Sequence, residues 1–168
     1  MLSIYQATIP VFVRGLGILS GLLRKGEAHA TATGCDPGSL VAARLAPDML
    51  PLAGQVQRAS DTAKFGASRL TGAEAPSFPD EESTLAELQD RIARTVGFLE
   101  RFTETQFAGA EARTITIGSG DSTRHFTGDS YVLTFALPNF FFHVTTGYDI
   151  LRHNGVPIGK RDYLWPAE

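Results

Sequence analysis

The sequence is poor in the residues that most often announce chemistry. It carries one cysteine, Cys35, one tryptophan, two methionines and four histidines in 168 residues. A single cysteine excludes an intrachain disulfide framework, and such a thiol is expected to be a small buried or half-buried side chain rather than a nucleophile. An excess of positive charge is also missing. Fifteen Lys and Arg against eighteen Asp and Glu leave a formal charge of −3, with the two signs mixed along the chain, so there is no basic field to neutralise phosphates and nucleic acid is not an expected partner. No stretch resembles a serine nucleophile elbow, a phosphate loop or a paired-carboxylate hydrolase site. No internal repeat or low-complexity tract is present.

Long apolar runs are scarce too. The stretch IPVFVRGLGILSGLL is interrupted by Arg14 and falls short of the roughly 20 apolar residues that span a bilayer. No small-residue cleavage site follows it cleanly, so neither export nor a membrane partner is expected. These absences describe a cytoplasmic protein. With 43% hydrophobic residues, the chain is long enough to bury a real core as one domain over residues 1–168.

What is there is helical periodicity. Residues 4 to about 28 place Val11, Ile18 and Leu22 on one stripe with Phe12, Leu16, Leu19 and Leu23 beside it, and Pro10 should bend the opening turns. Gly15, Gly17 and Gly21 do not form a dinucleotide loop, because the third glycine is one position late and no strand precedes them; they are expected to let another helix approach. After TATGCDPGS, Asp36 ahead of Pro37 caps a short helix carrying residues 40–45. Residues 51–70 form the second long helix, whose stripe Leu52, Val56, Ala59, Ala63 and Ala67 is small enough for either tight packing or an open cavity. TGAEAPSFPDEE is a loop. Thr84 and Glu87 then make a capping box, with Leu85, Leu88, Ile92, Leu99 and Phe102 behind it. Beyond TETQFAGAEA the pattern alternates: RTITIG, the turn GSGDS and TRHFTG read as a hairpin. Thr127 or Asp129 caps the last helix, which Pro138 should kink and which stops at Asn154 and Gly155. The expected fold is all-α, a four-helix bundle with a small β-hairpin before its last helix.

The motifs ARLAPDMLPL, ALPNFFFHVTTGYDILRHNG and VPIGKRDYL carry a resemblance over nearly the whole chain to the DinB/YfiT-like metalloenzyme superfamily, in an uncharacterised bacterial branch classed as a domain of unknown function. The resemblance implies a four-helix bundle, often dimeric. It also implies kinship with proteins that bind a divalent metal through three histidines, some of which transfer thiol groups or act as thiol-dependent isomerases. That metal site takes one histidine from the second helix and two, one turn apart, from the last. Here residues 51–70 contain no histidine, and the last helix offers His143 with Asn139 one turn before and Gly147 one turn after. His153 lies about 15 Å along the axis and about 80° around it from His143, and His29 and His125 are remote in the chain. No cofactor is therefore expected, and His143 is the one weak candidate for a divalent metal.

His143 is either a core histidine bonded to a neighbour or the centre of a degenerate site. Asn139, His143 and Thr146 fall on one helical stripe, with Phe140, Phe142 and Tyr148 as aromatic walls and Asp48 and Gln55 as polar residues on or before the facing helix. These positions are the ligand-pocket candidates: Asp48, Gln55, Asn139, His143, Thr146 and Tyr148. The tail holding Arg152, His153, Lys160 and Arg161 is expected to be a solvated or salt-bridged face packing Tyr163 and Trp165 onto the bundle. Three readings remain: a small-molecule-binding bundle with a degenerate metal site, a metal-dependent enzyme of thiol transferase or hydrolase type, or a non-catalytic dimerising module. The glycines of the first helix and an apolar surface favour a homodimer.

Overall fold

The computed structural model describes residues 2–165. Its first helix, α1 (Ile4–Thr33), opens on a reciprocal cap between Ser3 and Gln6 and closes on Gly34, whose φ of 72° supplies the left-handed stop. It outruns the expected end near residue 28 because nothing before Gly34 breaks the helical hydrogen bonding, and Thr31 and Thr33 fold their hydroxyls back onto the Glu27 and His29 carbonyls. Pro10 lies on the exposed side of the opening turns. The short α2 (Pro37–Ala42) is capped by Asp36, which accepts from the Gly38 amide at 3.0 Å; its cap is the expected one, and it ends three residues short of residue 45 because Ala43 turns to an extended conformation. α3 (Leu52–Thr71) and α4 (Leu85–Leu99) follow, the latter held by the expected Thr84–Glu87 box.

The strands β1 (Ile115–Ile117) and β2 (Arg124–Phe126) pair antiparallel with Ile115 opposite Phe126. Two 3-10 turns, Glu104–Phe107 and Ala110–Ala112, occupy the stretch before them. The last long helical run is a short α5 (Gly128–Tyr131), a π turn (Val132–Ala136) and α6 (Leu137–His153). Pro138 explains the π turn: it brings no N–H and its ring would press on the carbonyl four residues back, so the ladder widens and the Leu137 amide reaches the Val132 carbonyl instead. A final turn, α7 (Lys160–Leu164), lies along α1, where Asp162 pairs with Lys25 and the Leu164 carbonyl accepts from Arg14.

Four long helices make the bundle. α3 packs between α6 and α4, and α1 completes the ring against the same two neighbours. The core takes Phe12, Leu16, Leu19 and Leu23 from α1, Val56, Ala59 and Ala63 from α3, Leu88 and Ile92 from α4, and Phe140, Val144 and Ile150 from α6. α1 is long and apolar enough to cross a bilayer, yet half of its most apolar stretch is buried inside the bundle. Gly15 is what lets α1 and α6 meet: a Cβ there would overlap the Phe140 ring, which itself stands edge-on to Phe12 at 5.0 Å. Gly17 has open space around it and Gly21 almost so, so the role expected of three glycines falls to one. The small stripe of α3 resolves as tight packing, since Ala59, Ala63 and Ala67 are completely buried.

Candidate functional site

α3 and α6 run antiparallel, and two polar contacts bridge their seam. Near the start of α3, Gln55 Oε1 lies 2.8 Å from His143 Nδ1; two turns later Thr62 Oγ1 accepts from Asn139 Nδ2 at 2.7 Å, and Thr62 in turn donates to the Arg58 carbonyl at 2.7 Å. The positions follow from helical period: seven residues forward on α3 match four residues back on α6, one stripe each. Gln55 is buried, and its amide nitrogen donates to the Leu50 carbonyl at 3.0 Å. Since a carbonyl only accepts, that bond fixes the amide with Oε1 toward the histidine. His143 must then carry its proton on Nδ1 and leave Nε2 as a bare acceptor.

Burial, with the Arg58 positive charge as a smaller contribution, lowers the His143 pKa to about 4, so the ring is neutral at physiological pH. His143 is 9% exposed. Nε2 makes no hydrogen bond among the described residues, and the sealed, unpaired side-chain atoms among them are Ser68 Oγ and Arg91 Nε, so Nε2 keeps contact with the surface. The Phe142 ring, 56% exposed, stands edge-on to the His143 ring at 5.3 Å, and Leu50, whose carbonyl holds Gln55, is 46% exposed.

The other candidates divide. Thr146 is buried but spends its hydroxyl on the Phe142 carbonyl at 2.7 Å. Tyr148 lies on another face of α6, edge-on to Tyr163 at 6.1 Å, under α7. Asp48 stays outside the seam: α3 begins only at Leu52, and Asp48 sits exposed in the preceding turn. Phe140 is core, whereas Phe142 faces outward and walls no enclosed cavity. Ala59 and Ala63 are sealed in the bundle and line no opening. Cys35, expected to be buried or half-buried, is exposed, with Sγ 3.1 Å from Thr33 Oγ1. In the tail Tyr163 packs as expected, but Trp165 is 70% exposed.

A three-imidazole metal shell does not fit this seam. Of the positions that would supply it, Gln55 Oε1 is committed to His143, Asn139 Nδ2 to Thr62, and Gly147 has no side chain, its space bordered by Leu19. Among the described residues no three His, Cys, Asp or Glu side chains converge as ligands. One imidazole nitrogen and one amide oxygen, Asn139 Oδ1, are a poor set for a transition metal.

A family model described as a domain of unknown function, DUF1993, matches residues 4–164. The chain belongs to this family. Among solved structures, a DinB family member protein from Shewanella denitrificans superposes with a TM-score of 0.89 at 44% identity, over 98% of this chain and 94% of that one. The DUF1993 chain thus has the DinB-like fold. No curated protein matches it.

Sequence reasoning missed Arg58 and Thr62, which lie on the α3 stripe beside Gln55, three and seven residues on. It also missed a second polar cluster on the opposite side of α3. Arg91 of α4 is buried to 1% exposure and donates to Asp61 at 2.9 Å, to Glu82 at 2.9 Å and to the Pro79 carbonyl at 3.0 Å, with Asp80 also at 3.0 Å. Lys64, equally buried, pairs with Asp61 at 3.0 Å, and Gln57 donates to Glu82 at 2.9 Å. Burial pushes the Glu82 carboxyl up, but the bonds from Arg91 and Gln57 outweigh it and hold the pKa below the usual carboxylate range. The available signal was Arg91 itself, one turn after Leu88 on an otherwise apolar stripe, facing an acidic loop.

Proposed function

We propose that this protein binds a small, partly apolar molecule at the α3–α6 seam, in a degenerate form of the DinB-like metal site. The carrying observation is the Leu50–Gln55–His143 chain of hydrogen bonds, which leaves one imidazole nitrogen unprotonated and without a partner among the described residues. A neutral imidazole held in one tautomer accepts a hydrogen bond from a hydroxyl, thiol or amide N–H. Leu50 and Phe142 supply apolar contact for the rest of the ligand. The reading is one of binding, with no turnover assigned. The exposed side chains of Leu50 and Phe142 also favour self-association as a homodimer, and a lone cysteine without a disulfide partner accords with the cytoplasm.

NMR mapping with a set of phenols, alcohols and thiols tests the binding site. The proposal expects shift changes concentrated at Gln55, Asn139 and His143 and lost in His143→Ala. Changes that persist unaltered in that variant would reject it.

A further inference from the structure

The loop between α3 and α4 stands away from α4 over its first half and leaves a cleft of about 600 Å³, lined by Pro76, Phe78, Arg94, Gly97, Phe98 and Arg101 among others. Its floor is open because Gly97 carries no side chain there: a Cβ at this position would meet nothing within 4 Å. Its apolar walls are two aromatic rings. Phe98 stands edge-on to Phe102 at 5.1 Å, and Phe78 lies under the Arg94 guanidinium at 4.1 Å and near Lys64 Nζ at 4.5 Å. Its polar rim carries two arginines. Arg94 rests over the Phe78 ring and has one ion pair, exposed, with Asp90 at 3.6 Å, and Arg101 has no ion pair among the described residues. Glu74 is the single acid in the lining.

The buried Arg91 cluster gives this cleft its shape. By gripping the Pro79 carbonyl, Asp80 and Glu82, Arg91 fixes the end of the loop directly after Phe78, so the wall is ordered before any ligand arrives. On the other side of Arg94 a second cleft, of about 430 Å³, is lined by Glu81, Glu82, Glu87 and Asp90 and repels anions. The attraction for negative charge is therefore confined to the side that Arg101 shares.

We infer that the cleft between the 74–78 loop and α4 is a binding site for a small organic anion with a flat apolar body, an aromatic carboxylate. The ring would lie between Phe78 and Phe98 over Gly97, and the carboxylate would take charge-assisted hydrogen bonds from Arg94 and Arg101. This site is separate from the α3–α6 seam and does not depend on the reading given for it.

Titration of the intact protein with 2-naphthoate, followed by NMR, tests the inference. Saturable shift changes at residues 76–78 and 94–101 are expected, with binding at least tenfold weaker for Arg101→Gln, for Gly97→Leu and for the neutral 2-naphthamide. Arg101→Gln alters an exposed side chain and keeps the test valid should Gly97→Leu disturb the helix. No saturable binding at millimolar naphthoate, equal binding by both variants, equal binding of the amide, or shift changes centred on Gln55 and His143 would each overturn the inference.

Discussion

Two polar clusters flank α3, and they are built on opposite principles. On the α4 side, Arg91 and Lys64 are buried charges whose partners Asp61, Asp80 and Glu82 close around them. On the α6 side, the seam is neutral: an amide, a hydroxyl, an amide and an imidazole, each bonded once across the helices. The first cluster ties its charges to the protein itself, apart from the single Arg91 Nε. The second leaves two acceptors, His143 Nε2 and Asn139 Oδ1, without a partner among the described residues. A cluster that satisfies itself holds structure, whereas one that keeps a group in reserve can serve a ligand.

The sharpest way to break this contrast is to remove one partner from each side. Arg91→Ala takes from Glu82 its cationic partner and leaves Asp61 and Asp80 to Arg58 and Lys64, and a loss of about 3–5 kcal/mol is expected from denaturant melts, the scale for breaking a buried ion pair. A loss below about 1 kcal/mol would mean that the loop carboxylates relax into water and that the cluster does not hold the loop.

Acid should separate the clusters next. His143 has its folded pKa lowered from 6.5 to about 4, so between those values the unfolded chain takes up a proton that the folded one refuses. Stability is complete above pH 6.5 and falls as pH drops toward 4, by at most about 3 kcal/mol. Glu82, also lowered, contributes stability that is present above its unfolded value of 4.5 and is lost as pH falls through its folded pKa. In His143→Ala the decline between pH 6.5 and 4.5 should vanish while the steeper loss in stronger acid remains; an unchanged profile would show that His143 is not desolvated.

At neutral pH, His143→Ala should itself destabilise by only about 1 kcal/mol, and Asn139→Ala similarly, because water can enter from the surface and meet the Gln55 or Thr62 oxygen left behind. A loss of about 2–4 kcal/mol for His143→Ala would instead mark a sealed structural residue. The smallest effect concerns metal. Elemental analysis of tag-free protein should find well under one equivalent of zinc, nickel or iron, and stoichiometric metal that disappears in His143→Ala would restore the metalloenzyme reading. Light scattering should give a dimer at micromolar concentration, and a monomer alone would reject self-association through Leu50 and Phe142.

The helices and the hairpin were legible because their signals are local. Ser, Thr and Asp caps, proline breaks and a 3.6-residue apolar period all act within a few positions, and the pairing of Gln55 with the Asn139–His143 stripe followed from that same period. Asp48 was not placed correctly, because an argument from period depends on where the helix starts and Pro51 delays α3 to Leu52. Phe142 was expected to wall the site, yet a helix must turn one of three consecutive rings outward once its neighbours fill the interior, and Phe142 is that ring. Arg91 was invisible for a different reason: its partners lie 9 to 30 residues away, in a loop that reads on its own as a solvated acidic run. The π turn was likewise hidden, since Pro138 signals a disturbance of the helix but not which hydrogen bonds re-form.

The central claim is that Gln55 holds His143 as a neutral imidazole with its proton on Nδ1 and its Nε2 lone pair free. Long-range ¹H–¹⁵N correlation spectra of the histidines, recorded across pH, test it most directly. The expected result is a protonated Nδ1 and an unprotonated Nε2 for His143 at pH 7, with titration only near pH 4. A proton on Nε2, or a titration midpoint near 6.5, would contradict it.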